Sequence, residues 1–228
     1  MRIRIIGILF FIGCFASIIT AGYPVFGETV AFEFTLAQLD KNGTILPVPW
    51  EKNKRIPIKT GTRLKFYFKP IKNVYLYIYY EDSENYLDLI FPPAQMLSEK
   101  KYPTGDSFFI PAENQWFLID GQVPRDKFYI FIFDKRNKQL EKITRDYVCA
   151  DDTDGNENNK ADVILSKHTL LEEIKRLLNK SSPDFNDNNL IKIIPFSGTI
   201  KGIEEEIACY ARIIETKNFY AKTIEMEH

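Results

Sequence analysis

The stretch from Val74 to Pro93, VYLYIYYEDSENYLDLIFPP, constrains the fold more than any other part of the chain. Val74, Leu76, Ile78 and Tyr80 fall on one side of a period-two pattern, and Tyr75, Tyr77 and Tyr79 on the other. β-Branched and aromatic residues at that period specify a strand, because side chains alternate across a pleated backbone. Glu81 to Asn85 is a polar loop of hairpin length, and Tyr86 to Phe91 resumes the alternation with Leu87, Leu89 and Phe91 on one face. Pro92 and Pro93 remove two ladder donors and end the second strand. The expected centre of the fold is therefore an antiparallel hairpin with an apolar face and a tyrosine face.

The rest of the chain supplies partners for that hairpin. Thr29 to Leu39 alternates Val30, Phe32, Phe34 and Leu36 against Ala31, Glu33 and Thr35, which predicts a strand with one buried face. Lys41-Asn42-Gly43-Thr44 carries a turn signal, and Gly61 to Lys69 alternates again. Phe108 to Ile110 and Trp116 to Ile119 read as short strands. Phe128 to Phe133 is apolar at every position, so it reads as a central strand covered on both faces. Lys135 to Val148 is polar and fits either a helix or a loop. Thr169 and Glu172 form a capping-box pattern ahead of Leu170, Leu171, Ile174, Leu177 and Leu178 at helical spacing, which predicts one helix near 170–179. Ile191 to Phe196, Ile207 to Ile214 and Phe219 to Met226 are further strand candidates. About nine strands and one helix predict a mainly β chain, an antiparallel β-sandwich of immunoglobulin-like or related type.

The first 27 residues have another character. Arg2 and Arg4 precede an apolar run, Ile5 to Ile19, and Ala21, Gly22, Pro24 and Gly27 follow. That layout is a secretory signal peptide, with cleavage expected before Glu28. It leaves a single domain over 28–228. Ile3 to Ala21 also approaches the length of an uncleaved anchor, and Phe11 to Cys14 faintly matches a lipoprotein box. Membrane association is expected only if the leader is retained. The formal net charge of the chain is -1; without Arg2 and Arg4 the balance is 28 basic to 31 acidic residues, or -3. Such a balance gives no electrostatic ground for a nucleic-acid partner.

The hairpin sequence resembles the domain-of-unknown-function family DUF 4384. There, a strand of alternating tyrosines turns through a polar loop into a strand ending in an aromatic residue and proline. Gly61-Thr62-Arg63-Leu64, Tyr102-Pro103, Ile110-Pro111 and Ile119-Asp120-Gly121 fit the same pattern, so the resemblance covers Gly61 to Phe133 well. It implies an exported β-domain of bacterial envelope proteins and supplies no catalytic residue.

Candidate sites are few. Asp151-Asp152-Thr153-Asp154-Gly155-Asn156 invites a calcium reading, but aligning Gly155 with the sixth loop position puts Ala150 and Ala161 where oxygen ligands are required. No metal site is expected, and no cofactor. Cys149 and His168 could form a nucleophile and base, yet no orienting group or oxyanion motif accompanies them. Glu204, Glu205 and Glu206 read as a solvated run. Tyr75, Tyr77 and Tyr79 have two readings: rings packed under the helix or second sheet with hydroxyls at the rim, or an exposed platform for a protein or glycan. Cys149 and Cys209 would be the cysteines of the mature chain. In an oxidising compartment they could be bridged, and Cys209 alternatively fills a small buried apolar position.

The expectation is a non-catalytic exported module for interaction or assembly, periplasmic or associated with the cell envelope, with an envelope protein or glycan as partner. The alternatives are a glycan- or cell-wall-binding domain and a secreted hydrolase using Cys149 or clustered carboxylates.

Overall fold

The computed structural model describes residues 29–39, 45–48, 55–97, 101–112, 115–151, 160–181, 190–200 and 203–227; at 45, 47, 160, 190–200 and 203–210 it describes the backbone alone. The leader, the turn at 41–44 and residues 152–159 of the Asp/Asn loop lie outside the described residues.

Among the described residues there are twelve strands and two α-helices. In order they are β1 (Thr29–Leu39), β2 (Ile45–Pro47), β3 (Ile56–Pro57), β4 (Arg63–Pro70), β5 (Tyr75–Asp82), β6 (Leu87–Phe91), β7 (Phe108–Ile110), β8 (Phe117–Leu118), β9 (Arg125–Phe133), α1 (Lys138–Asp151), α2 (Lys160–Lys180), β10 (Leu190–Ile200), β11 (Ile203–Lys217) and β12 (Phe219–Glu227). They form two sheets. One runs β10-β11-β1-β4-β7, with β2 paired to β1 and β8 to β4; the other runs β3-β12-β9-β5-β6. All the pairings are antiparallel except β3 with β12.

The predicted alternation places the core. Val30, Phe32, Phe34 and Leu36 of β1, and Leu64, Phe66 and Phe68 of β4, meet Leu76 and Ile78 of β5 and Phe128, Ile130 and Ile132 of β9. These rings interdigitate; Phe66 lies edge-on to Phe128 with centroids 5.1 Å apart. β9 is the middle strand of its sheet, so its other side also needs cover. Tyr129, Phe131 and Phe133 meet Leu140 and Tyr147 of α1 and Leu170, Ile174 and Leu177 of α2. The order of layers is seven-stranded sheet, five-stranded sheet, helices. A β-sandwich is as expected, and the hairpin falls at β5 and β6.

The helical part differs from expectation. There are two helices rather than one. α1 starts behind Asn137, whose Oδ1 accepts the Leu140 N–H at 3.0 Å as an N-cap. α2 begins at Lys160, well before Thr169, whose hydroxyl donates back to the Leu165 carbonyl at 2.9 Å. Thr169 therefore lies inside the helix and does not cap it. The far end of α2 is tied to the sheet, where the Ala221 N–H donates to Ser181 Oγ at 3.0 Å.

Candidate functional site

The tyrosine face of β5 lies beneath α1 and α2. Tyr77 is 1% exposed and Tyr79 0%, while Tyr75 is half-buried with the Lys101 ammonium 5.9 Å from its ring centre. An exposed platform of three rings is thus not what the fold builds. The two central rings are consumed in a helix–sheet interface, because strand β9 beside them supplies Phe131 and Phe133 and makes that face too apolar to leave wet. The hydroxyls do not sit at a rim either. Tyr77 donates to Glu141 Oε1 of α1 at 2.7 Å, in a fully buried bond. Thr144 donates to the Leu140 carbonyl at 2.8 Å, which leaves its oxygen as acceptor for Tyr79, also 2.8 Å away. Tyr147 donates to the Leu87 carbonyl of β6 at 2.5 Å.

Glu141 is 0% exposed, and burying a carboxylate demands compensation. It receives Arg136 from the turn between β9 and α1, whose Nε lies 3.1 Å from each carboxylate oxygen. Glu173 of α2, 4% exposed, is held by Arg176 Nε at 2.6 Å and by Gln139 Nε2 at 3.3 Å. Burial pushes the Tyr77 and Tyr79 phenols well above their ordinary range; the Glu141 bond adds to this for Tyr77, while the Thr144 bond opposes it for Tyr79. These acceptors and donors are already matched to one another. The arrangement fastens two helices to a sheet.

Two other polar groups lie in the sheets. At one end of β5 and β9, Tyr129 donates to Glu81, Lys127 Nζ lies 3.2 Å from the same carboxylate, and Tyr80 donates to Asp126 at 2.5 Å. On the outer face of the seven-stranded sheet, Tyr67 and Lys69 each reach Glu33 at 3.2 Å. Beside them the Lys65 ammonium lies 4.8 Å from the Trp116 ring and 5.6 Å from Phe109, and burial lowers its pKa. Sequence reasoning missed Glu141, Thr144 and Lys65. Asn137, an N-cap type ahead of Leu140 and Tyr147, was the available signal for the first two.

The other candidates are scattered. Cys149, near the end of α1, is a free and exposed thiol. Cys209 lies in β11 opposite Ile193, with its side chain outside the described residues. Cys149 belongs to the helical layer and Cys209 to the seven-stranded sheet, with the five-stranded sheet between those layers. His168 is exposed on α2, and no hydrogen bond joins it to Cys149 among the described residues. The side chains of Glu204, Glu205 and Glu206 are outside the described residues. Among the described residues no group of three His, Cys, Asp or Glu side chains could hold a metal ion, and no helix is long and apolar enough to cross a membrane.

The fold defines an antiparallel β-sandwich with a helical layer bonded over one sheet. Residues 58–136 match the model of the family described as Domain of unknown function (DUF4384), the family that the hairpin resembles, and the match extends slightly beyond Gly61–Phe133 at both ends. It spans β4 to β9 and stops before α1. No curated protein and no solved structure matches the chain.

Proposed function

We propose that this chain is exported and that its folded domain is a non-catalytic interaction or assembly module of a bacterial cell envelope. The observation that carries the reading is the junction of leader and domain. A basic start, the apolar run Ile5 to Ile19 and a small-residue end fill the first 27 residues, and β1 opens at Thr29. The interaction half is supported by β10, the outermost strand of the seven-stranded sheet. Its sequence, LIKIIPFSGTI, carries apolar residues at positions of both parities, a composition more usual in strands with neighbours on each side. An edge strand offers backbone groups to an extended segment of another chain; here the free stretch is limited by Pro195 and by the register shift between Ile193 and Phe196. The partner is an envelope protein or a glycan. N-terminal sequencing of the exported protein tests the first half: a start near Glu28 supports it, and a start at Met1 makes the protein an anchored one. Cross-linking in envelope fractions, beside a pull-down on peptidoglycan, tests the second. Capture of a protein supports the assembly role, capture by peptidoglycan alone the glycan-binding alternative, and capture by neither rejects both.

A further inference from the structure

We propose that the end of the aromatic face left open by the helices, Tyr75 and Phe219 with Lys101 beside them, is a binding subsite for an acidic glycan. The inference rests on the glycan form of the partner reading and names the place and the chemical class. Two rows of residues cross the five-stranded sheet at this end. Tyr77, Phe131 and Ala221 stand opposite one another on β5, β9 and β12, and one step nearer the end of the sheet stand Tyr75, Phe133 and Phe219. Cross-strand partners share a face, so both rows lie on the helix side. The tie between Ser181, just after α2, and Ala221 falls in the first row. There Tyr77 and Phe131 are at most 1% exposed. In the second row Phe133 is still buried, while Tyr75 and Phe219 are only half-buried.

The two rows differ in bonding as well. The hydroxyls of Tyr77 and Tyr79 are bound to Glu141 and Thr144. Among the described residues the Tyr75 hydroxyl has no hydrogen-bond partner. Phe219 stacks on Phe133 with centroids 5.2 Å apart and planes 20° apart, which holds its ring in place. Lys101 is positioned through its neighbour. Tyr102 and Val74 exchange backbone bonds of 2.8 and 3.1 Å, and the exposed Lys101 then sets its ammonium 5.9 Å from the centre of the Tyr75 ring. Among the described residues Lys101 has no carboxylate partner, and neither has Lys135, which is exposed two residues past Phe133. Arg136, at the same end, is bound to Glu141. An acidic sugar offers groups that match these. One face of its ring carries C–H groups that leave water against an aromatic side chain. Its hydroxyls bond to a free phenol, and its carboxylate accepts from an ammonium. An acidic peptide matches the charge but not the rings.

The test titrates the full-length chain, in mild detergent, with an oligomer of galacturonic acid and follows binding by calorimetry. Binding is expected, and it weakens as salt is raised. Lys101→Glu sets a like charge against the carboxylate and is expected to weaken binding at least about tenfold. Tyr75→Ala removes the ring and is expected to lose about as much, whereas Tyr75→Phe keeps the ring and loses less. Lys142→Glu, the same charge reversal at an exposed position of α1, is expected to leave the affinity unchanged. No binding of the oligomer by the native chain, or equal losses from Lys101→Glu and Lys142→Glu, overturns the inference. Tighter binding of polyglutamate than of the oligomer overturns it too, and makes the surface one for an acidic peptide. The glycan reading fails separately. If peptidoglycan retains the native chain and the Lys101→Glu chain equally, that reading stands and this site falls.

Discussion

The two faces of the five-stranded sheet use the same strands and different chemistry. On the inner face, Leu76, Ile78, Ile130 and Ile132 are at most 1% exposed and meet other apolar side chains. On the outer face, the alternate residues Tyr77, Tyr79 and Tyr129 are almost as deeply buried, and each carries a hydroxyl that had to find a partner. Apolar burial stabilises the inner face without regard to direction, at about 25 cal/mol per Å². Directional bonds on the outer face stabilise less on net, because water offered the same hydroxyls bonds in the unfolded chain. Those of Tyr77 and Tyr79 fix where a helix can sit, since a buried hydroxyl left without a partner costs about 1–3 kcal/mol. Both faces gain stability from apolar burial, and the outer face adds register between helices and sheet.

Removing the cover of both faces together has the largest effect. A fragment of residues 58–136, the family-matched stretch, lacks β1 and β11 of one sheet, β12 of the other, and both helices. It is expected to show no cooperative thermal transition by circular dichroism, whereas residues 28–228 show one. Ile78→Ala opens a cavity in the inner face and is expected to cost about 2–5 kcal/mol in urea denaturation. Tyr77→Phe removes a bond to a carboxylate and is expected to cost about 2 kcal/mol, against about 1 kcal/mol for Tyr79→Phe, whose partner is neutral. Equal losses at these two positions would blunt the distinction between charged and neutral acceptors. Leu165→Ser, at a position 66% exposed outside both cores, is expected to change stability by less than about 0.5 kcal/mol.

The sheets were legible in the sequence because their inner face follows the simplest rule. Alternate Val, Leu, Ile and Phe in β1, β4 and β5, and the unbroken run in β9, project onto strands without regard to partners. α1 was hidden because its inward positions are Leu140, Glu141, Thr144 and Tyr147. Two of those four are polar, so the helical stripe disappears when apolar residues alone are counted. The first half of α2 was hidden for the opposite reason, since Ile164 and Leu165 point to solvent and break the stripe that Leu170, Ile174 and Leu177 maintain. The tyrosine face was legible as a face. Cover by a helix was one of its two readings, but the share of α1 was not legible, because Glu141 and Thr144 interrupt the apolar stripe by which Leu140 and Tyr147 pack against it.

The central claim is that Tyr77, Tyr79 and Tyr129 are buried fasteners rather than a surface. Their phenols are held above the ordinary value of 10.0 by burial, helped at Tyr77 and Tyr129 by a carboxylate acceptor. A raised pKa means that folding favours the neutral phenol, so this stabilisation is present in full below about pH 10 and falls as pH rises beyond it. The decisive measurement is an alkaline titration that follows tyrosine ionisation near 295 nm together with the helical circular-dichroism signal. The account predicts that the buried tyrosines resist ionisation as pH passes 10 and then ionise together with loss of the helical signal. Ionisation of all tyrosines along an ordinary curve near pH 10, with the helical signal intact, would contradict it.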